Sequence, residues 1–524
     1  MRRDQRGRNT GAGGAGALIA RRAALTAMLG GCCGLTPGLA RAQVPPEGVR
    51  ARPQPGDLLV KTSGEERRPL TPDDVPLGET QIMAWPFDLA ADIVRSGSRL
   101  NKVLLLRLDP AGFDPETCGP RPVEDYTHGY HMSLAPLVAD SKVMVGCSGG
   151  ELGVRGFVAA FDAETGKPLW KTFTVPAPSE PGSETWPVGD QWKTGGGSVW
   201  VTGNYDPETN LAFWGTGNGG PWMGDQRPGD NLYTSMLALD ATTGAIKGYH
   251  QYHPNDSWDW DEVSPPILVD YRHGGRTVRG LVDVARDGYL WMLERTVDKI
   301  NFVAGQPYVK QNVFASLDPK TGRPNVDPAR QPGTGKKADF CPSLWGGKNW
   351  PPAAYSPKTR FLYIRANDNL CCTSIGEKVD YSRGERYVGA TTTLYIAPDA
   401  DHIGELQAWN LDTGKKVWSH PFVDSENWAP VLATGGGVLF AGGTNDRYFR
   451  AFDAATGKTL SQFRTGSGVV GVPSSFAIDG KQYIAVQSGW GVDAARTQAR
   501  INLVRPHQYP DVPQGGAIWV CALE

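Results

Sequence analysis

A surplus of either charge is what this sequence lacks first. Its 53 lysines and arginines face 55 aspartates and glutamates, a formal net charge of −2, which argues against a general nucleic-acid binder or a polybasic membrane-surface protein. No run beyond the leader reaches the ~18 apolar residues of a membrane span. Cysteine is scarce: Cys32, Cys33, Cys118, Cys147, Cys341, Cys371, Cys372 and Cys521 are all there is. They spell neither the C-x-x-C-H of a c-type haem nor the paired C-x-x-C of structural zinc. The eight histidines include no H-E-x-x-H. The pairs His128/His131 and His250/His253 have no cysteine partners, so they are expected to be polar loop or edge residues rather than metal ligands. Gly215, Gly217 and Gly220 formally spell G-x-G-x-x-G, but Pro221-Trp222 follows instead of a helix, which excludes a dinucleotide loop.

What the sequence has in quantity is turn formers and large aromatics. Sixty-six glycines, 41 prolines and 17 tryptophans, with 40% hydrophobic and 21% charged residues, fit an all-β globular chain of many short strands. A tag recurs in it, apolar–Asp–x–x–Thr–Gly–Lys–x–x–Trp in its fullest form. It begins at Phe161-Asp162, Leu239-Asp240, Leu317-Asp318, Trp409-Asn410 and Phe452-Asp453, and its acidic or amide positions are 78, 78, 92 and 43 residues apart. Thr-Gly makes a tight hairpin turn with glycine at positive φ. The trailing Trp is expected to pack on the neighbouring unit, so that each unit needs the next. A period near 40 residues with four short strands predicts a β-propeller. The last spacing reads as one blade and the longer ones as about two each. Dividing the 291 residues from Asp162 to Asp453 by a blade of roughly 40 gives about seven steps.

The N-terminus reads as an export leader over residues 1–42. Arg21-Arg22 precedes a short, mildly apolar stretch, and Ala40-Arg41-Ala42 is a small-x-small cleavage pattern. The arginine pair resembles a twin-arginine signal, which predicts a periplasmic protein. Residues 43–124 carry no tag, and 125–524 are assigned to the propeller.

Within that propeller run several motifs in order: Ser148-Gly149-Gly150-Glu151-Leu152-Gly153-Val154-Arg155-Gly156, Gly195-Gly196-Gly197-Ser198-Val199-Trp200, Trp214-Gly215-Thr216-Gly217-Asn218, Trp258-Asp259-Trp260-Asp261 and Arg286-Asp287-Gly288. Glu151, Asn218 and Asp259 are hard oxygen donors from well-separated segments, a set suited to Ca²⁺ or a larger trivalent ion. Bland readings exist for each: Glu151 as a surface carboxylate beside Arg155, Asn218 as a turn cap, Trp200 as a blade-packing indole, Asp259 or Asp261 as a turn aspartate.

From about Tyr126 to the C-terminus these motifs resemble pyrroloquinoline quinone (PQQ)-dependent alcohol dehydrogenases of the methanol/ethanol class, which are eight-bladed. The resemblance implies periplasmic oxidation of a primary alcohol to an aldehyde with PQQ and Ca²⁺ or a lanthanide. Glu151, Asn218, Asp259 and Asp261 would hold the metal, Asp259 would be the base, and Arg286 would steady charge on the quinone. Ser133, Ser148, Gly149, Gly150, Ser198, Trp200, Arg286, Asn349 and Trp428 would surround the cofactor, with Trp200 as its floor. Asp261 lies two residues beyond Asp259, so on an extended segment both carboxylates face one side. That extra charge tilts the expectation towards a lanthanide. The family's disulfide implies Cys341 pairing with Cys371 or with Cys372.

Partners follow from the same resemblance: a small alcohol and, since no haem domain is fused, an external cytochrome c, with no nucleic acid and no membrane span. Oligomeric state stays open, a homodimer among the options. Residues 1–118 resemble the start of an exported Rieske-type iron–sulfur protein without its cluster motif. That places a fusion or truncation junction near 112–124, with a divergent lineage as the rival. An incomplete ring keeps a second function in view, a degenerate or fused propeller acting as a non-catalytic binding or assembly module.

Overall fold

A computed structural model describes residues 102–103, 121–423, 425–489, 492–505, 512–513 and 515–522. The leader, the Rieske-like reading and the junction before residue 121 therefore lie outside the described residues, apart from the short pairing of Lys102–Val103 with Arg121–Pro122.

Short antiparallel strands build the rest. Five four-stranded sheets follow one another along the chain, beginning at Leu137–Ala139, Asn204–Asp206, Ile267–His273, Ala354–Ser356 and Val431–Ala433. A three-stranded sheet, Ser474–Ile478, Lys481–Gly489 and Gly516–Ala522, comes last. The β-propeller reading thus holds. In the first two sheets the third strand is almost wholly buried while the fourth alternates towards solvent, as an outer blade edge should.

The tag sits at the hairpin between the third and fourth strands. Its glycine has positive φ at every occurrence, from 64° at Gly414 to 75° at Gly244. Asp162, Asp318 and Asp453 each accept the backbone N–H and the hydroxyl of the following Thr. The trailing Trp does reach the next unit: Trp170 Nε1 donates to Ala241 O at 3.2 Å, and Trp418 Nε1 to Ala454 O at 3.2 Å. A side chain at Gly244 or Gly457 would collide with those indoles at 2.6 and 2.5 Å.

This docking corrects the spacing arithmetic. Trp170 rests on the tag of the very next sheet, so the 78 residues from Asp162 to Asp240 span one blade and its long irregular connection, not two blades. The third sheet turns through Thr296–Lys299 without a tag, and the Asp318 tag closes a separate two-stranded hairpin, Phe314–Leu317 with Pro324–Val326. Between the second and third strands of the fourth sheet the chain makes an excursion. There Leu370–Gly376 pairs with Lys337–Phe340 on one side and Ala390–Ile396 on the other, forming an added three-stranded sheet. Among the described residues there are therefore six blade-like sheets rather than about seven.

The largest core cluster gathers Trp222, Trp258, Trp260, Trp291 and Phe340. Trp258 and Trp260 stack with centroids 5.1 Å apart, and their indole N–H groups donate to Arg330 O and Ser343 O. The two tryptophans thereby anchor the segment that carries Asp259 and Asp261.

Candidate active site

Asp259 does not lie on an extended segment. Its φ is +65°, a left-handed conformation that an L residue adopts only when its surroundings enforce it. The alternation argument for Asp259 and Asp261 is corrected accordingly: the backbone kinks at Asp259 rather than running extended, and the Asp261 charge still acts on the Asp259 carboxyl.

Asp261 is the hub. Its Oδ1 accepts the backbone N–H of Asn218, and its Oδ2 accepts Trp200 Nε1 at 3.1 Å and faces Arg286 NH2 at 3.1 Å. Arg286 also donates to Asp259 O at 2.8 Å and to Asn349 Oδ1 at 3.4 Å, and its guanidinium stands 5.8 Å from the Trp200 ring centroid. Ser133 Oγ hydrogen-bonds Ser148 Oγ at 2.6 Å and donates to Trp200 O at 3.1 Å. The bare Cα of Gly150 faces Ser198 Oγ and Asn218 Oδ1, which a Cβ would meet at 3.1 and 3.2 Å. Gly149, at φ +112°, sets the preceding turn. Asn349 Nδ2 donates to Trp345 O, and Trp345 meets Trp428 edge-on at 5.9 Å. Trp428 thus joins the group through Trp345 rather than directly. Glu151 leaves the reading that paired it with Arg155, because Arg155 binds Glu180 at 2.8 Å.

The electrostatics are those of an anionic hole. Burial, reinforced by Asp261, pushes Glu151 up; burial and then Asp261 drive Asp259 well above the usual carboxylate range. Burial also raises Asp261, against the pull of Arg286. Asn218 Oδ1 and Asp259 Oδ1 are sealed from solvent with no hydrogen-bond partner. Buried oxygens left in that state are costly unless a cation meets them.

A second layer went unseen in the sequence. Glu262 Oε2 accepts the Arg286 N–H at 2.7 Å, and burial with Asp283 drives Glu262 well above its usual range. Lys348 is buried, donates to Ser264 Oγ and Asn349 O at 2.8 Å each, and is pushed by burial down to about 8. His253 is wholly buried, 3.3 Å from Asp256 and 3.7 Å from Asp287. Burial works against its charge, yet the nearby carboxylates of Asp256 and Asp287 hold it up at about 9. His250 is also buried, among Tyr252, Trp291 and Phe302. As the sequence suggested, His250 lies on the outermost strand of its sheet, Ile246–Gln251, and His253 in the loop after it; what the sequence did not show is that hydrophobic sheets and acidic turns close over both rings. Adjacency was the available signal: Glu262 follows Asp261, Asp287 follows Arg286, and Lys348 precedes Asn349.

Cys341 pairs with Cys371 across 30 residues, tying the added sheet to the loop that leads to Asn349. Cys372 is a buried free thiol.

A propeller whose buried carboxylates, amide and guanidinium converge from several sheets beside a half-buried indole is the architecture of a quinone-dependent dehydrogenase. The chain matches the family model for the β-propeller domain of PQQ-dependent glucose/ethanol/alcohol dehydrogenases over residues 120–302 and 319–484, and it belongs to that family. It is 37% identical to the quinoprotein alcohol dehydrogenase PedH of Pseudomonas putida, over 76% of this chain and 69% of that one. It is 36% identical to the lanthanide-dependent methanol dehydrogenase of Methylacidiphilum fumariolicum, over 70% and 63%. Among solved structures, a europium-containing methanol dehydrogenase superposes with a TM-score of 0.72 at 34% identity, covering 77% of this chain and 76% of that one.

Proposed function

We propose that this chain oxidises a primary alcohol to an aldehyde in the periplasm, using PQQ with a lanthanide or Ca²⁺, and passes electrons to an external cytochrome c. The observation that carries the reading is the pair of sealed, unpartnered oxygens, Asn218 Oδ1 and Asp259 Oδ1, beside Glu151 and Asp261. Three carboxylates, the buried Asp259 and Asp261 and the half-buried Glu151, against one guanidinium leave a negative excess that a hard cation would neutralise, and all the donors are oxygen. Trp200, half-buried and flanked by Arg286, offers a flat face for a planar ring. The residues thus fit both groups: Glu151, Asn218, Asp259 and Asp261 would hold the ion, and Ser133, Ser148, Gly149, Gly150, Ser198, Trp200, Arg286, Asn349 and Trp428 would surround the cofactor.

When bound, PQQ supplies the two-electron acceptor for hydride, and the cation polarises its carbonyl. The chain supplies the rest. Asp259, held in its kink by Trp258 and Trp260 in the core, takes the alcohol hydroxyl proton as base. Its backbone carbonyl and Asn349 aim Arg286, whose fixed charge stabilises negative charge as it develops. Asp261 ties Trp200, Asn218 and Arg286 into one frame, so a donor and its neighbours move little between binding and reaction. The extra anion at Asp261 favours a trivalent ion, in keeping with the lanthanide-dependent and europium-containing relatives. The twin-arginine-like leader supports the compartment, and the lack of a haem motif supports an external acceptor.

The test is reconstitution of purified protein with PQQ and either La³⁺ or Ca²⁺, followed by dye-linked oxidation of an alcohol panel. Stoichiometric PQQ binding with alcohol-dependent dye reduction is the expected result; PQQ binding without turnover of any alcohol would favour the non-catalytic module.

A further inference from the structure

A second group of ligating side chains shares no residue with the candidate active site. Asp368 follows the strand Phe361–Asn367, His402 lies in the loop before the strand Gly404–Asn410, and Glu405 is in that strand. One ligand atom from each, two carboxylate oxygens and an imidazole nitrogen, lies within 4.8 Å of the others.

Each side chain has one atom engaged by the protein and one left over. Asp368 Oδ1 accepts the backbone N–H groups of Lys310 and Asn369 at 2.7 and 2.9 Å, which frees Oδ2. Glu405 Oε2 accepts Gln407 Nε2 at 2.6 Å and Lys416 Nζ at 3.4 Å, which frees Oε1. His402 Nδ1 lies 2.6 Å from Asp401 Oδ1. A carboxylate only accepts, so Nδ1 carries a proton, and in the neutral ring that a metal ion requires the lone pair sits on Nε2. That Nε2 is sealed from solvent and has no hydrogen-bond partner; its nearest charged neighbour is Asp368 Oδ2, 4.0 Å away.

A buried lone pair aimed at two carboxylates is repulsive unless a cation stands between them. Protein carboxylates that orient a ligating histidine through its other nitrogen are the usual outer shell of a transition-metal site. One imidazole and two carboxylates suit Zn²⁺ and its neighbours more than Ca²⁺, which takes oxygen alone. Bond lengths of about 2.0–2.2 Å put donors around one ion roughly 3–4 Å apart, so the three need only a small inward rotation. Asn369 Nδ2 already donates to His402 O at 3.2 Å, fixing the two loops together.

We propose that Asp368, His402 and Glu405 bind one divalent transition-metal ion, with Asp401 as the positioning residue for His402. The ion would clasp the turn that leads into Cys371 to the loop before Gly404–Asn410, and water would complete its shell.

The test uses the purified full chain and Co²⁺ as the probe, because a low-coordinate nitrogen/oxygen site gives Co²⁺ intense visible bands that an all-oxygen, high-coordinate site does not. The wild type is expected to take up one absorbing Co²⁺ per chain. His402→Gln and Asp368→Asn should lose the band and weaken binding at least about tenfold; Asp401→Asn should keep the band and weaken binding by about tenfold. Glu151→Gln, at the other site, should leave the band unchanged. Circular dichroism reports whether each variant folds, and the exposed Asp401 keeps the proposal testable if the ligand variants do not. No visible band in the wild type, or a band and affinity that survive both His402→Gln and Asp401→Asn, would overturn it.

Discussion

At the rim of the propeller, Asp162, Asp318 and Asp453 each sit in a hairpin where the hydroxyl and backbone N–H of the following Thr hold the carboxyl below its usual range. Around the candidate site, Glu151, Asp259, Asp261 and Glu262 are the same functional group, and burial drives all of them up. The rim carboxylates are complete: their partners are two or three residues away, and the motif repeats wherever a hairpin needs it. At the site, by contrast, Asp259 and Glu262 each keep a sealed oxygen without a hydrogen-bond partner, and under the proposed function a bound cation would meet that of Asp259. A repeated acid reports architecture, whereas an unrepeated one with an orphaned oxygen reports chemistry.

The sharpest way to break this contrast is Asp259→Asn. Reconstituted enzyme should lose about 10³-fold or more in kcat for alcohol oxidation; a loss under tenfold would make Asp259 merely another turn aspartate. Next is the layer beneath. His253 is held up at about 9 from an ordinary 6.5, so between those values the folded protein keeps a proton that the unfolded chain releases. Its stabilisation is full below about 6.5 and is lost as pH rises through about 9, by on the order of 3 kcal/mol. Urea midpoints across that interval should show this slope in the wild type and not in His253→Gln. Cys371→Ala should cost about 2–4 kcal/mol by releasing the 30-residue loop to Cys341, read as a lowered urea midpoint.

Asp261→Ala should shift the ratio of La³⁺- to Ca²⁺-supported activity towards Ca²⁺ by about tenfold, because it removes one negative charge from the hole. An unchanged ratio would detach ion preference from Asp261. The smallest effect belongs to the rim: Asp453→Ala should lower Tm by about 2 °C and leave turnover unchanged.

These same differences explain what the sequence discloses. The hairpin tag is legible because all of its interactions lie within about ten residues, so pattern and structure coincide. Glu151, Asn218, Asp259 and Arg286 were legible as a set through their flanking glycines and tryptophans. Their mutual arrangement was not, since the kink at Asp259 depends on Trp258 and Trp260 stacking in a distant core. The blade count went astray because long connections and an added sheet dilute the period. Glu262 and Lys348 were missed, and the burial of His253 with them, because their only local mark is nearness in sequence to Asp261, Asn349 and Asp256, while their partners arrive from other sheets. The family resemblance, in contrast, left Cys341 to pair with Cys371 or Cys372, and the structure pairs it with Cys371 and leaves Cys372 a free thiol.

The docking of each tag tryptophan on the following hairpin also sets an order of events on the ribosome. When Trp170 is made, the carbonyl it will bond lies 71 residues further on; for Trp418 the wait is 36 residues. Each of these two nascent blades is therefore left with an uncovered indole until its successor has been synthesised, and a translational stall inside 174–240 would hold the first blade in that half-finished state.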